Sequence, residues 1–338
     1  MKNISLVAEF LIGIFLLGFS GPWSLQFLQC VLFIVIYLLA LMGNGLIITI
    51  TSLDPCLQTP MYFFLRNLSL LDICLISAVV PKTVVNPLTD RNSISFFGCV
   101  TQVFLVPFSA EAELFLLTAM SVDRYAAICH PLHYEAIMTR GTCVQMMALS
   151  WLIGGLISVM HTAGTFSLSY CGFNEIQQFF SDIPQLLAIT CSENITVEVV
   201  LILVNAVLDF FCFFCITVSY ISIFFTVRNI PSTKRHSKTY STCLPHLAVV
   251  ILFLSTASIA YLKLILGCIS FIDFVLSSFY ILLPPSLNPI IYSLRNKAMK
   301  TGLGKLITRR PLKKENVLNF LQEKWCFLLN IFVNTGSV

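Results

Sequence analysis

The chain has 338 residues, of which 57% are hydrophobic and only 11% charged, with a mean hydropathy of +0.88. A soluble domain carries about 25% charged residues, so this composition excludes a soluble globular chain and leaves no room for a separate soluble module. The net charge of +4 is small, and the basic residues gather on no soluble surface, which excludes nucleic-acid binding.

In chain order, Asn3-Ile4-Ser5 is a glycosylation sequon. The apolar run Phe10–Phe19 is too short to span a bilayer and lacks the small-residue cleavage site of a signal peptide. Seven longer apolar stretches follow, at 24–51, 60–80, 97–128, 142–163, 197–227, 238–263 and 271–293. A hydrocarbon core about 30 Å thick takes about 20 residues of helix. Backbone groups cannot stay unpaired in lipid, and barrel strands would be shorter and would alternate. The predicted fold is therefore all-α, a seven-transmembrane helix bundle. Arg124, Arg140, Arg228, Lys234, Arg235, Lys238 and a tail run from Arg295 to Lys324 fall on one side of it. Only Lys2, Lys82, Arg91 and Lys263 fall on the other. The positive-inside rule then sets the orientation: 1–23 is an extracellular N-terminus, 24–294 the membrane domain and 295–338 a cytoplasmic tail. Membrane lipid is the first partner.

The outer loop at 165–196 contains no Lys or Arg and is too long for a simple connector, so it is expected to fold over the bundle mouth. It carries a second outward sequon at Asn194. Of thirteen cysteines, Cys30, Cys74, Cys212 and Cys215 lie in apolar runs and read as small core residues. Cys99, Cys171 and Cys191 face the oxidising exterior. Three is odd, so one thiol stays free or pairs elsewhere. Past Arg310 the tail reaches an apolar patch, Trp325–Val333, too short to cross: either an interfacial segment or an end without a role.

Ionisable groups inside a bundle are costly unless paired or hydrated. Asp72 lies in the second span, Glu111 and Glu113 in the third, Asn44 in the first and Asn288 in the seventh. Asp72, Glu113 and Asn288 are expected to converge, with either a sodium ion or a proton offsetting the two carboxylates. A buried network that sets helix register is the alternative. Glu111 is two residues from Glu113 and points about 200° away, so it serves another neighbour, on the fourth or fifth span. Asp123-Arg124-Tyr125 stands where the third span reaches the cytoplasm, and its arginine has the choice of partners that a two-state switch needs. Pro289 removes a backbone hydrogen bond in the seventh span, a hinge or a static bend.

Together these residues resemble the rhodopsin-like G-protein-coupled receptors, and within them the olfactory receptors. The resemblance covers nearly all of residues 3–307. It runs through Gly43-Asn44, Thr59-Pro60-Met61-Tyr62-Phe63-Phe64-Leu65, Leu68-Ser69-Leu70-Leu71-Asp72, Asp123-Arg124-Tyr125-Ala126-Ala127-Ile128-Cys129-His130-Pro131, Ser219-Tyr220, Ser241-Thr242-Cys243-Leu244-Pro245-His246 and Pro285-Ser286-Leu287-Asn288-Pro289-Ile290-Ile291-Tyr292. It departs at Gln58, where the family usually has His, at Pro245, usually Ser, and at Ser181, usually the Cys that pairs with the top of the third span.

The resemblance implies a plasma-membrane odorant receptor, not an enzyme, with a short cytoplasmic helix after the seventh span. It implies a volatile ligand in the outer half of the bundle, against Phe104, Pro107, Phe108, Ala110, Val207, Leu254, Ala257, Ser258, Tyr261 and Phe279. It implies coupling through Asp123, Arg124, Tyr125, Tyr220 and Tyr292 to a heterotrimeric G protein of the stimulatory, olfactory type that raises cyclic AMP. With Ser181 in place of the usual Cys, the expected disulfide is Cys99–Cys191, and Cys171–Cys191 is the competing pair. No cofactor is expected beyond a structural sodium ion at Asp72 and Glu113, within a network completed by Asn44 and Asn288. A transporter would string its charges along a path and often repeat its halves. An intramembrane enzyme would need a nucleophile–base pair or metal ligands, and His161 and His246 lie far apart.

Overall fold

The computed structural model describes residues 14–16, 23–54, 57–89, 93–170, 175–176, 180–181, 183–192, 195–229, 239–240, 243–255, 271–295 and 299. Within them, five helices are long and apolar enough to cross a membrane: α1 (Trp23–Leu53), α2 (Pro60–Leu88), α3 (Phe96–Cys129), α5 (Arg140–Ser167) and α7 (Thr196–Arg228). They correspond to the first five predicted spans. The sixth is described as α8 (Cys243–Ser255) and the seventh as α9 (Phe271–Arg295). Two short helices sit in loops, α4 (Tyr134–Ile137) on the inner side and α6 (Ile183–Ile189) on the outer side.

Local chemistry sets the helix ends. Pro60 takes the first turn of α2, where its missing N–H has no intrahelical partner to lose. Ser95 caps α3 by accepting from the Gly98 amide at 3.2 Å, and Thr139 caps α5 by accepting from the Thr142 amide at 3.1 Å. Hydropathy placed the end of the second span at residue 80, but α2 continues through Pro81 and Pro87 to Leu88. The helix outlasts the apolar signal because backbone pairing does not stop where lipid does.

Helix α3 is the axis of the bundle, packed by α2, α5 and α7, while α1 packs on α2 and α9. The outward faces of α1, α5 and α7 expose Leu38, Leu152 and Leu203, the pattern of helices that meet lipid on one side. Close approach is local. A Cβ on Gly154 of α5 would come within 3.0 Å of the Ala112 amide nitrogen of α3, so the small residue lets the two backbones meet.

No strand was expected from the sequence, yet the outer face carries three. Ile14–Leu16 of the apolar N-terminal run form β1, the middle strand of a small outer sheet. β1 pairs antiparallel with β2 (Ser93–Ile94) and parallel with β3 (Glu175–Ile176). The N-terminal segment is thus stitched to two outer loops. The tail from residue 300 onward, including the expected short cytoplasmic helix, lies outside the described residues, as does Asn3.

Candidate functional site

The mid-membrane polar residues do meet. The Asn288 amide donates to both oxygens of Asp72, at 3.1 and 3.0 Å, and to Glu113 Oε1 at 3.1 Å. All three side chains are buried. One amide from α9 therefore ties α2 to α3. Two carboxyl groups around one donor also need a proton or a cation between them. Among the described residues, Glu113 Oε2 and Asn288 Oδ1 have no hydrogen-bond partner.

Asn44 stands beside this cluster with a different task. Pro289 has no N–H, so the carbonyl of Pro285, four residues earlier, loses its helical partner. Asn44 of α1 donates to that carbonyl at 2.8 Å. The neighbouring Gly43 makes the approach possible, since a Cβ there would meet the Pro289 ring at 2.8 Å. The Gly-Asn pair is thus the complement of the Asn-Pro pair across the bundle.

At the inner end of α3, Arg124 pairs with Asp123 at 3.2 Å. The Tyr134 hydroxyl, from α4, donates to the other Asp123 oxygen at 2.7 Å. Burial, with the adjacent carboxylate, pushes the Tyr134 phenol up, so it remains a donor at physiological pH. Tyr220 of α7, His246 of α8 and Tyr292 of α9 lie within electrostatic reach of Arg124. Tyr220 and His246 are hydrogen-bonded across α7 and α8. The Tyr292 hydroxyl is buried and, among the described residues, has no hydrogen-bond partner. Tyr125 is set apart from this group, paired with His130 at the inner surface.

The described residues expected to line a ligand pocket differ in what they touch. Phe104 stacks on Phe108, which meets Trp151 of α5 edge-on, so this pair packs between α3 and α5. Pro107 is half-buried beside them and Ala110 is buried. Leu254 packs against the large inner core. Val207 is a correction: it is 68% exposed, on the outward face of α7. The inward stripe runs through Asn205, and two residues further turn the side chain about 200°. Phe279 is likewise 46% exposed. Ala257, Ser258 and Tyr261 lie outside the described residues.

The disulfide expectation is also corrected. Cys99 is a free, buried thiol, lying against Ser181. Cys191 is disulfide-bonded, to a partner outside the described residues, where Cys171 also lies. The loop is held to α3 without sulfur: the Ser181 amide donates to Gln102 Oε1 at 2.9 Å. Asn194 is outside the described residues as well.

Glu111 meets the fifth span as expected, but Asp209 beside it and a second polar cluster further out escaped the sequence reading. Glu111 accepts from Asn205 of α7 at 2.7 Å, and Asp209 lies beside it. The rule that found Asp72 would also have found Asp209, an acid inside an apolar span. Further out, His161 of α5 pairs with Glu198 of α7 at 3.0 Å, both buried, and Thr165 donates to the same carboxylate at 3.4 Å. The sequence signal was Glu198 in the first turn of α7, favoured there by the helix dipole.

Comparison with known proteins places this geometry. The sequence model of the olfactory receptor family matches residues 33–310. Human olfactory receptor 14A16 is 61% identical over 93% of this chain and 100% of its own length. Human olfactory receptor 14A2 is 52% identical over 91% of this chain and 97% of its own. Among solved structures, squid rhodopsin superposes with a TM-score of 0.69 at 17% identity, covering 85% of this chain and 82% of the other, a likeness of fold.

Proposed function

The chain belongs to the olfactory receptor family, and from that premise we propose that it binds a small volatile ligand in the outer half of the bundle and relays occupancy to a G protein of the stimulatory, olfactory type. Members of the family are multi-pass membrane receptors, not enzymes. A mostly hydrocarbon ligand gains affinity chiefly by burial, at about 25 cal/mol per Å² of apolar surface. One or two polar groups supply selectivity. Ala110, Leu254, Ala257, Ser258 and Tyr261 are carried over from the family resemblance as walls of the proposed chamber.

The observation that supports the relay is the double hold on Asp123, by Arg124 and by Tyr134. Arg124 has Tyr220 and Tyr292 within electrostatic reach. A ligand that binds more tightly when α8 has moved outward shifts the balance toward a state in which Arg124 leaves Asp123. The cavity so opened admits the G protein, and cyclic AMP rises. Asp72 and Glu113, with the unpartnered Asn288 Oδ1, form an all-oxygen set suited to a sodium ion. Such an ion, when bound, supplies the positive charge that two facing carboxylates lack.

A cyclic AMP reporter screen across volatile classes, run beside Arg124→Ala at equal surface expression, tests the relay. The expected result is a ligand response in the unmodified chain and none in the variant. A response that persists in Arg124→Ala rejects the route.

A further inference from the structure

Between the outer halves of α2 and α3 lies a cavity of about 530 Å³. Small-molecule sites span roughly 300–1,000 Å³. Its floor is apolar, with Ile73 and Cys74 from α2 and Leu105 from α3. Ser77 and Thr101 contribute hydroxyls, and both are engaged within the protein. Ser77 shares a hydrogen bond with the Tyr37 hydroxyl at 3.2 Å, and Thr101 donates to the Phe97 carbonyl at 2.7 Å. Lys82 stands at the outer end. Among the described residues it makes no hydrogen bond and no ion pair.

The walls are fixed before anything binds. Gln102 donates to the Ala78 carbonyl of α2 at 3.1 Å and accepts from the Ser181 amide of the outer loop at 2.9 Å. One side chain thus ties α3 to α2 and to the loop, so a ligand would not have to organise its own site.

An ammonium group over an apolar trough fits an anion with a tail. From Ile73 to Lys82 the helix rises about 13 Å, comparable to a medium-length alkyl chain. A single cation balances a single negative charge. We propose that this cavity binds a single-chain carboxylate, its head on Lys82 and its tail along Ile73, Cys74 and Leu105. This goes beyond the volatile-ligand reading, because the site lies between α2 and α3 rather than in the proposed chamber against α3, α7, α8 and α9. A two-chain anionic phospholipid is the rival occupant and an outcome of the test.

Cys74 reports on the site directly, since its thiol is free and only partly buried. The full-length chain, in phosphatidylcholine nanodiscs, would be labelled with a maleimide and the rate at Cys74 read by peptide mass. Cys215 of α7, also free and partly buried, serves as the control. At a concentration about ten times its Kd, decanoate is expected to slow labelling at Cys74 about tenfold and to leave Cys215 unchanged. Decanol is expected to protect weakly. Lys82→Gln should abolish the decanoate effect and Lys82→Arg should retain it. Equal protection by decanol, protection that survives Lys82→Gln, or equal slowing at Cys215 would each overturn the proposal. So would protection by phosphatidylserine in the nanodisc without decanoate. If Lys82→Gln fails to fold, the decanoate–decanol contrast in the unmodified chain still decides.

Discussion

Glu111 and Glu113 stand two residues apart on α3 and look in opposite directions. Glu113 faces Asp72 and Asn288, and the same end of α9 is tied through Pro285 to Asn44 of α1. Four helices meet there with every link buried. Glu111 faces α7, meeting Asn205 and Asp209. Among the described residues that cluster joins two helices only, and α7 exposes much of its surface to lipid. One flank of α3 is therefore a frame and the other a single seam, and motion transmitted from a ligand is expected across the seam.

The contrast breaks first at Asn288. Asn288→Ala removes the one donor shared by two buried carboxyl groups and should lower stability by about 3 kcal/mol. Asn205→Ala removes one bond on the seam and should cost about 1 kcal/mol. Thermal unfolding in detergent compares them, and equal losses would mean that the frame is no stiffer than the seam. Gly43→Ala tests the frame without touching a polar group. Its Cβ would meet the Pro289 ring at 2.8 Å, and backbone separation should cost about 2 kcal/mol. A neutral result would show that α1 and α9 yield freely.

Chemistry sharpens the contrast further. Glu113→Gln and Asp72→Asn should each abolish sodium dependence of the ligand response, while Glu111→Gln should leave it intact. Titration of sodium against response in the three variants checks this. An unchanged dependence in both of the first two removes the ion from the account.

Much of the frame was legible in the sequence because buried charge is expensive and therefore rare. Asp72, Glu113 and Asn288 interrupt apolar runs, and few arrangements satisfy all three. The Gly43–Pro289 contact was legible as two motifs but not as a pair, since nothing local links residues so far apart. The seam was harder to read. Helix α7 is apolar nearly all round, so its inward face leaves little periodic trace, and Val207 was placed inward by the family resemblance alone. The Cys99 pairing failed for another reason. Cysteine spacing does not fix how a long loop lies, and Ser181 rather than Cys191 rests on Cys99. The three residues of β1 are too few to show any period. His161 and Glu198 were readable as ionisable groups, but their meeting depends on the crossing of α5 and α7.

The smallest expected effect tests the corrected face of α7. Val207 is largely exposed, and surface substitutions of this kind change stability by less than about 0.5 kcal/mol. If it lined the pocket, trimming it to Ala would change ligand sensitivity by about 10-fold or more, the usual value of a lost apolar contact. Facing lipid, Val207→Ala should shift the half-maximal ligand concentration by less than about threefold. Ala110, two residues from the Phe108 stack and buried, is the counterpart on α3. Ala110→Val adds volume where there is no lipid to absorb it and should shift the response by about tenfold or more. The dose–response ratio of the two variants thus reads the rotation of α7 directly: a large effect at Val207 beside a small one at Ala110 would turn the helix back toward the orientation that the family resemblance implied.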